Sequence, residues 1–261
     1  MKHIELVHFA EWKKIAGDAY EKNMNDLVSW GVSKIVAHPC WGMNDETAPG
    51  FFDNCAALLK KYALETPACH AYWGAGNDIS PADPAELETI VPRHAAFLEK
   101  LAAIGVRSYT MHIAMESNGS TPWKTIAQAV ENLLPTARRC NIILALENGH
   151  EDCATQQQLA DFVSSYCDPF LGVCYDTGHA HCYGDREWKR TLDILAPHIV
   201  TCHLHDNSGT FDDHNPPGGG TINWAEMSAA LKSLPRLLHA ETESGDWSQD
   251  SWNKFRDMWY N

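Results

Sequence analysis

The feature that most constrains this chain is a regular alternation of short β-rich runs with segments of helical apolar spacing along the whole sequence. Runs rich in Val, Ile, Tyr and Phe predict strands, and apolar residues three and four positions apart predict helices. The predicted strands lie at 4–9, 33–38, 66–71, 107–113, 142–147, 171–176, 199–205 and 236–241. Eight strand–helix units without a linker-like stretch predict one α/β domain over residues 1–261, a (β/α)8 barrel.

The segments between the predicted strands support this interpretation. One segment carries apolar residues at helical spacing from Leu87 to Leu101, and it follows Asp83-Pro84, which is typical of a helix start. Another carries them from Ile126 to Ala137. A doubly wound open sheet is the main alternative fold. No glycine-rich phosphate-binding fingerprint follows the first predicted strand, and this disfavours the open sheet.

Composition excludes several classes of partner. The 261-residue chain has a formal net charge of −14 and no run of Lys or Arg, so we expect no nucleic-acid partner. No apolar run is long enough to span a bilayer, and the first residues do not resemble a signal peptide, so we expect no membrane association. The nine cysteines occur without a CxxC motif, which predicts reduced thiols and a cytoplasmic setting.

Residues that commonly bind metals lie at the ends of six consecutive predicted strands, the third to the eighth. They are His70, His112, Glu147, Asp176, His203, His205 and Glu241, with His179, Asp212 and His214 shortly after a strand. The carboxyl ends of barrel strands meet at one rim, where barrel enzymes hold their chemistry. One such histidine or acid alone is more often a loop or capping residue. The whole set predicts a divalent-metal site, because carboxylates crowded at one rim repel each other unless a cation is present.

The sequence resembles the xylose isomerase-like barrels, a family of sugar and sugar-phosphate isomerases and epimerases that also includes DNA-repair enzymes of the endonuclease IV type. The resemblance covers nearly the whole chain, from the first predicted strand to Glu241. The motifs that carry it are ALEN, DTGH, HLHD, DDHNPPGGGTINW and AETE, at 145–148, 176–179, 203–206, 212–224 and 240–243. Their ordered set is specific for the superfamily and not for a substrate.

The resemblance implies a metal-ligand set. The epimerase branch holds one metal ion, often manganese, through residues that match Glu147, Asp176, His203 and Glu241. The endonuclease branch holds three zinc ions through these four and the residues that match His70, His112, His179, Asp212 and His214. All nine positions carry a suitable residue type here, and the last five are candidates for binding a further metal ion or the substrate, as His179 could hold a substrate oxygen instead of a metal. We therefore expect Mn²⁺ or Zn²⁺, with up to three Zn²⁺, and we prefer His203 to His205 as the ligand because His205 lies where relatives vary.

The resemblance also implies a reaction. Sugar isomerisation and epimerisation both move a proton at a carbon next to a carbonyl through an enediolate, and carboxylates carry that proton. Relatives use the residues that match Glu147 and Glu241 as ligands and as acid–base groups, so we predict both to be catalytic. Trp41 and Trp73 are candidates for packing against a sugar, although tryptophans in loops are as often plain packing residues. His38 is a weaker candidate for a polar contact with the substrate.

The sequence therefore predicts a metal-dependent sugar or sugar-phosphate isomerase or epimerase with a small-molecule partner, and it is compatible with a homo-oligomer. Two alternatives stay open. A multi-zinc phosphodiesterase acting at abasic DNA sites would use all nine predicted ligands, but the charge of −14 disfavours it. A metal-dependent lyase or sugar-binding relative is the other alternative, because one barrel fold hosts many reactions.

Overall fold

The computed structural model describes residues 3–9, 20–113, 121–149, 153–183 and 187–261. Its strands are β1 (Glu5–His8), β2 (Lys34–Ala37), β3 (Glu65–His70), β4 (Ser108–Met111), β5 (Ile143–Glu147), β6 (Leu171–Asp176), β7 (Ile199–Leu204) and β8 (His239–Thr242). They follow each other in the order β1 to β8 in a closed barrel. The predicted (β/α)8 barrel is confirmed.

Helices occupy the segments between the strands. They are α1 (Tyr20–Ser29), α2 (Cys40–Thr47), α3 (Phe51–Tyr62), α4 (Leu87–Ala103), α5 (Trp123–Cys140), α6 (Cys153–Tyr166), α7 (Thr177–Cys182), α8 (Trp188–Leu195), α9 (Trp224–Lys232) and α10 (Gln249–Tyr260). A short 3₁₀ turn, Pro84–Glu86, precedes α4, and Asp83 caps it as predicted. Among these described helices, none combines the length and the apolar character that crossing a membrane requires.

The chain divides into two compact units, one of residues 9–144 and the other of residues 1–8 with 145–261. In the first unit β2 pairs with β3 and β3 with β4, all parallel. Helices α4 and α5 bury the apolar faces that their spacing predicts, including Phe97, Leu98, Val130 and Leu133. The single domain over 1–261 stays a prediction.

In the second unit the strand register places the predicted ligands beside one another. Asp176 at the end of β6 is level with His203 in β7, and His203 is level with Glu241 in β8. Glu241 is in turn level with Val7 in β1. Parallel pairing in this register brings ligand-type side chains from neighbouring strands to one height in the sheet.

The strand boundaries differ from the predicted ones by a few residues. His112 and His205 each lie just after the last residue of their strands rather than at it. The largest difference is in β8, predicted at 236–241, which begins at His239 and continues to Thr242. Residues 235 and 236 form a bend after α9, and Pro235 has no amide hydrogen to contribute to the sheet. Pairing with β7 starts at Leu238, whose amide donates to the carbonyl oxygen of Val200 (2.8 Å).

Candidate functional site

Three carboxylates of the second unit converge on one imidazole. Nδ1 of His203 lies 3.1 Å from Oε1 of Glu147, 3.0 Å from Oε2 of Glu243 and 3.8 Å from Oδ2 of Asp176. One ligand atom of each of these four residues lies within 4.8 Å of the others. We call Glu147, Asp176, His203 and Glu243 the carboxylate cluster. Three of the predicted ligands, Glu147, Asp176 and His203, thus lie together. Glu243, the fourth member, was not predicted from the sequence.

Glu241, the predicted fourth ligand, lies behind His203. Its Oε2 is 3.6 Å from Nε2 of His203, and its Oε1 accepts a hydrogen bond from Thr201 and lies 3.4 Å from Nε2 of His239. The side chain is 1 % exposed, against 17 % for Glu243. Burial acts to raise the pKa of Glu241, but contacts with His203 and His239 outweigh it and lower the pKa to about 2. Its role as a ligand stays a prediction, and Glu243 is the alternative that the geometry offers.

The signal for Glu243 is present in the sequence. Side chains two residues apart in a strand point to the same side, and AETE places a second glutamate two residues after the first. The amide of Glu243 still donates to the carbonyl oxygen of Leu204 (2.9 Å), so it continues the pairing of β8 with β7. The two glutamates therefore project from the same face of this strand at successive heights.

A second group lies next to the carboxylate cluster in the same unit. His179, His205, Asp212 and His214 each offer one ligand atom within 4.8 Å of the others, and we call them the histidine cluster. Oδ2 of Asp212 lies 3.2 Å from Nε2 of His179 and 3.1 Å from Nε2 of His214. His179, Asp212 and His214 were predicted from the sequence as additional ligands, and His205 was not.

The backbone orients two histidines of the histidine cluster. Nδ1 of His179 lies 2.9 Å from the carbonyl oxygen of Asn148, and Nδ1 of His214 lies 3.1 Å from that of Glu243. A carbonyl oxygen only accepts, so each Nδ1 carries the hydrogen and donates it. Each Nε2 then points at Asp212. Histidine ligands of metal sites are commonly fixed in this way, through the ring nitrogen that does not bind the ion.

Neighbouring charges control the pKa values of the two clusters. Burial acts to lower the pKa of His203, but Cys174, Glu243 and Glu147 outweigh it and raise the pKa well above its usual value. Burial acts likewise on His214, where Asp212 and Glu243 raise the pKa to about 9. The pKa of Asp212 falls despite burial because of its contacts with His179 and His214. The two clusters together are acidic and favour positive charge.

The two donor sets fit divalent metal ions. The carboxylate cluster supplies three carboxylates and one imidazole, a mixture that suits Mn²⁺ or Zn²⁺, and the histidine cluster supplies three imidazoles and one carboxylate, which suits Zn²⁺. Oδ1 of Asp212 is buried and has no hydrogen-bond partner within the described part of the chain. A buried carboxylate oxygen without a partner is costly unless a cation satisfies it.

Five predicted site residues lie in the first unit. Nδ1 of His70 donates to the carbonyl oxygen of Ala71 (3.0 Å), and its Nε2 lies 3.2 Å from Nε2 of His112. Trp73 stands edge-on to His70, with ring centroids 4.9 Å apart, and its side chain is 40 % exposed. An exposed indole beside histidines is compatible with the predicted contact with a sugar. The roles of His70 and His112 as ligands stay predictions.

The other two predicted substrate contacts are buried. Trp41 is 1 % exposed and stands edge-on to Phe52, with centroids 6.5 Å apart, so it has no free ring face to offer a sugar and belongs to the core of its unit. Nδ1 of His38 accepts a hydrogen bond from the amide of Cys40 (3.1 Å). Burial and the neighbouring His70 lower the pKa of His38 to about 3, so this imidazole is neutral. Its contact with a substrate stays a prediction.

Comparison with known proteins places the fold in a family. The sequence model of the xylose isomerase-like TIM barrel family matches residues 28–257. A protein of Sinorhizobium fredii called y4fM is 35 % identical over 79 residues, which are 28 % of this chain and 23 % of that protein. The chain thus matches about a quarter of the length of this curated relative.

Solved structures share the whole barrel. A D-tagatose 3-epimerase-like protein superposes with a TM-score of 0.78 at 16 % identity, over 98 % of this chain and 96 % of that one. The IOLI protein, in a structure with a bound zinc atom, superposes with a TM-score of 0.74 at 15 % identity, again over 98 % and 96 % of the two chains. At these identities the similarity establishes the fold alone.

Proposed function

The chain belongs to the xylose isomerase-like TIM barrel family, and from that premise we propose that it is a divalent-metal-dependent isomerase or epimerase of a sugar or sugar phosphate. The reaction moves a proton at a carbon next to a carbonyl through an enediolate. Its partner is a small molecule. The eight cysteines whose side chains are described are all free, which supports the reduced, cytoplasmic setting that we also propose.

The observation that carries the proposal is the convergence of Glu147, Asp176 and Glu243 on His203. Three carboxylates within reach of one imidazole nitrogen exceed what a single protonated histidine neutralises. A divalent ion would supply the missing charge and would satisfy the carboxylate oxygens. We propose that Glu147, Asp176 and His203 bind it, with the fourth ligand from Glu243 or Glu241.

The bound ion would stabilise the negative charge that develops on the substrate oxygens during proton transfer. The protein's part is to hold and move the proton. Glu147 on β5 and the glutamate on β8 come from strands that are not neighbours in the barrel order. Two carboxylates so placed support proton removal at one face of a substrate carbon and proton return at the other, which is what epimerisation requires.

The similarity to a D-tagatose 3-epimerase-like protein supports a ketose as the class of substrate. Trp73 supports it independently, because an exposed indole offers an apolar face to the C–H groups of a sugar. Histidine neighbours of Trp73 would serve hydroxyl groups of the same ligand.

The histidine cluster favours a second candidate, a multi-zinc phosphodiesterase of the endonuclease IV type. Three imidazoles and Asp212 would hold a further zinc ion, which the one-metal reaction does not need. The net charge of −14 counts against a DNA substrate. We therefore rank this candidate second, before a metal-dependent lyase.

The deciding experiment combines metal analysis with turnover. The purified protein is analysed for bound metals and then incubated with a panel of ketoses and their phosphates in deuterated water, with Mn²⁺ or Zn²⁺. We expect at least one equivalent of metal and a product that carries deuterium at the reacting carbon. A protein that binds no divalent metal, or that cleaves abasic-site DNA and turns over no sugar of the panel, would contradict the proposal.

A further inference from the structure

Three consecutive residues surround one histidine that is not among the proposed ligands of the carboxylate cluster. Asp176 ends β6, Thr177 and Gly178 begin α7, and each of the three contacts His205, which follows β7. His205 is 0 % exposed. The sequence predicts His203 as the ligand rather than His205, yet His205 is fully buried between ligand-type residues.

The first contact joins the imidazole to Asp176. Nε2 of His205 lies 2.9 Å from Oδ1 and 3.1 Å from Oδ2 of Asp176. A carboxylate only accepts, so Nε2 carries the hydrogen and donates it to both oxygens. Asp212 is the next carboxylate, and its Oδ1 lies farther away, at 3.7 Å. The hydrogen on Nε2 is therefore directed at Asp176.

The second contact fixes the backbone. The hydroxyl of Thr177 donates to the carbonyl oxygen of His205 (3.0 Å) and accepts from its amide (3.1 Å). Both backbone groups of His205 are thus satisfied by one side chain, that of the first residue of α7. This holds the imidazole at a fixed height relative to Asp176.

The third contact is made at Gly178, where the imidazole of His205 occupies the space that a side chain would need. A Cβ added there would lie 1.9 Å from Cε1 and 2.3 Å from Nδ1 of His205, distances that no real Cβ tolerates. Gly178 lies inside α7, where glycine is less favourable than alanine by about 1 kcal/mol. The space for the imidazole explains why the chain carries glycine at this position.

On the far side the ring of His214 closes the pocket. The two imidazoles stack with centroids 4.0 Å apart and an interplanar angle of 11°. His205, itself a member of the histidine cluster, therefore contacts Asp176 of the carboxylate cluster with one edge of its ring and His214 with one face. Its side chain thus contacts both clusters.

We propose that His205 is a positioning residue, which holds the carboxylate of Asp176 in the orientation that binds the ion of the carboxylate cluster, and that Gly178 exists to admit its ring. The inference rests on the proposed metal site. Hydrogen bonds from outer side chains that orient a ligand typically alter metal affinity by about 10–100-fold when they are lost.

Titrations with Co²⁺ test the inference in variants of His205 and Gly178. The readouts are the affinity for Co²⁺ and the visible absorption of the bound ion. His205→Ala should weaken Co²⁺ binding by about 10–100-fold and change the spectrum. His205→Gln, whose amide nitrogen reaches the position of Nε2, should restore much of the affinity. If His205 acts only through the packing of its ring, both variants should lose the same affinity for Co²⁺.

Gly178→Ala provides the matched test of the glycine. In the native background the methyl group displaces the ring and should weaken Co²⁺ binding. In the His205→Ala background the space is empty, so Gly178→Ala should cost nothing further. Gly245→Ala is the control, because a Cβ at Gly245 meets no atom within 4 Å. Wild-type affinity in His205→Ala, or additive losses in the double variant, would overturn the inference while leaving the metal site intact.

A spectrum of the metal-free protein separates this inference from the proposed function. In protein labelled with ¹⁵N-histidine, His205 should carry its hydrogen on Nε2, and Asp176→Asn should shift that signal. A wild-type protein that binds no Co²⁺ would remove the proposed function and the metal-positioning role together. A hydrogen on Nδ1 of His205 would remove the inference even if the metal binds.

Discussion

Nδ1 of His203 lies 3.0 Å from Oε2 of Glu243, and the glutamate is the more exposed of the two side chains, at 17 % against 3 %. Nδ1 thus faces the partly exposed Glu243, whereas Nε2 of the same imidazole faces the buried Glu241, at 3.6 Å. One histidine therefore contacts a glutamate through each ring nitrogen. A neutral imidazole binds an ion through one nitrogen and donates from the other, so the two glutamates have different roles.

The first prediction assigns those roles. Glu243→Gln should weaken binding of Zn²⁺ by more than the roughly 100-fold upper range for outer side chains, because it removes a carboxylate from the carboxylate cluster. Glu241→Gln should cost less, since Gln keeps an oxygen for the hydroxyl of Thr201. Zn²⁺ affinity is measured by competition with a chromophoric chelator. The reverse order of the two losses would make Glu241 the ligand, as the sequence predicts.

The second prediction concerns the number of ions. If the histidine cluster binds its own ion, Asp212→Asn should lower the zinc content by one equivalent and leave the ion of the carboxylate cluster in place. Asp212 is the carboxylate that His179 and His214 share, at 3.2 and 3.1 Å, so its loss leaves two imidazoles without an anionic partner.

Asp213→Asn is the matched control for the second prediction, because the neighbouring Asp213 belongs to neither cluster. Zinc is counted by elemental analysis after dialysis. Equal zinc content in the wild-type protein and Asp212→Asn would show that the histidine cluster does not hold a resident ion.

The sequence predicts the barrel and most of the site because both depend on local patterns. The end of a strand in a parallel barrel fixes the rim on which Glu147 and Asp176 appear, and the residue types found there limit the chemistry. The register β6–β7–β8 then brings Asp176, His203 and Glu241 level, as the order of motifs implies.

Such patterns cannot decide which of two residues, two positions apart, is the ligand. Glu241 and Glu243 share one face of a strand, and His203 and His205 lie two positions apart at the end of another. Which member of each pair faces an open site depends on where the strand ends and on what fills the space behind it. For His205 that space is created by Gly178, which lies 27 positions earlier in the chain and gives no periodic signal.

The third prediction concerns stability towards acid and lies away from the site. His94 in α4 is buried, its Nε2 donates to the carbonyl oxygen of Asn77 (2.8 Å), and its Nδ1 accepts from the hydroxyl of Tyr109 (2.8 Å). Burial lowers its pKa to about 4 from an ordinary value of 6.5. Between those pH values the unfolded chain binds a proton that the folded chain does not, so the free energy of unfolding decreases as pH falls through this window.

The decrease attributable to His94 is about 3 kcal/mol by pH 4. Urea unfolding of His94→Gln between pH 7 and pH 4 should show a smaller decrease than the wild-type protein, although its stability at pH 7 is lower. Tyr109→Phe removes one hydrogen bond of His94 but keeps the imidazole, so it should retain the wild-type slope. Parallel pH curves for the wild-type protein and His94→Gln would contradict this account.

The last prediction tests the mechanism at Glu147, which the sequence places at the end of β5 and the structure places 3.1 Å from His203. Gln at this position keeps the shape of the side chain but cannot take a proton. If Glu147 is the base, Glu147→Gln should lower kcat by the roughly 10²–10⁴-fold that general acid–base catalysis contributes. It should also abolish exchange of substrate hydrogen with deuterated water.

A larger decrease in kcat would indicate that the metal is lost as well, so metal content is measured on the same sample. Unfolding in urea should change far less than turnover does, because the substitution leaves packing intact. Glu147→Gln protein that retains both its metal and full turnover would remove this carboxylate from proton transfer, and the proton would then have to be carried by Glu241 or Glu243.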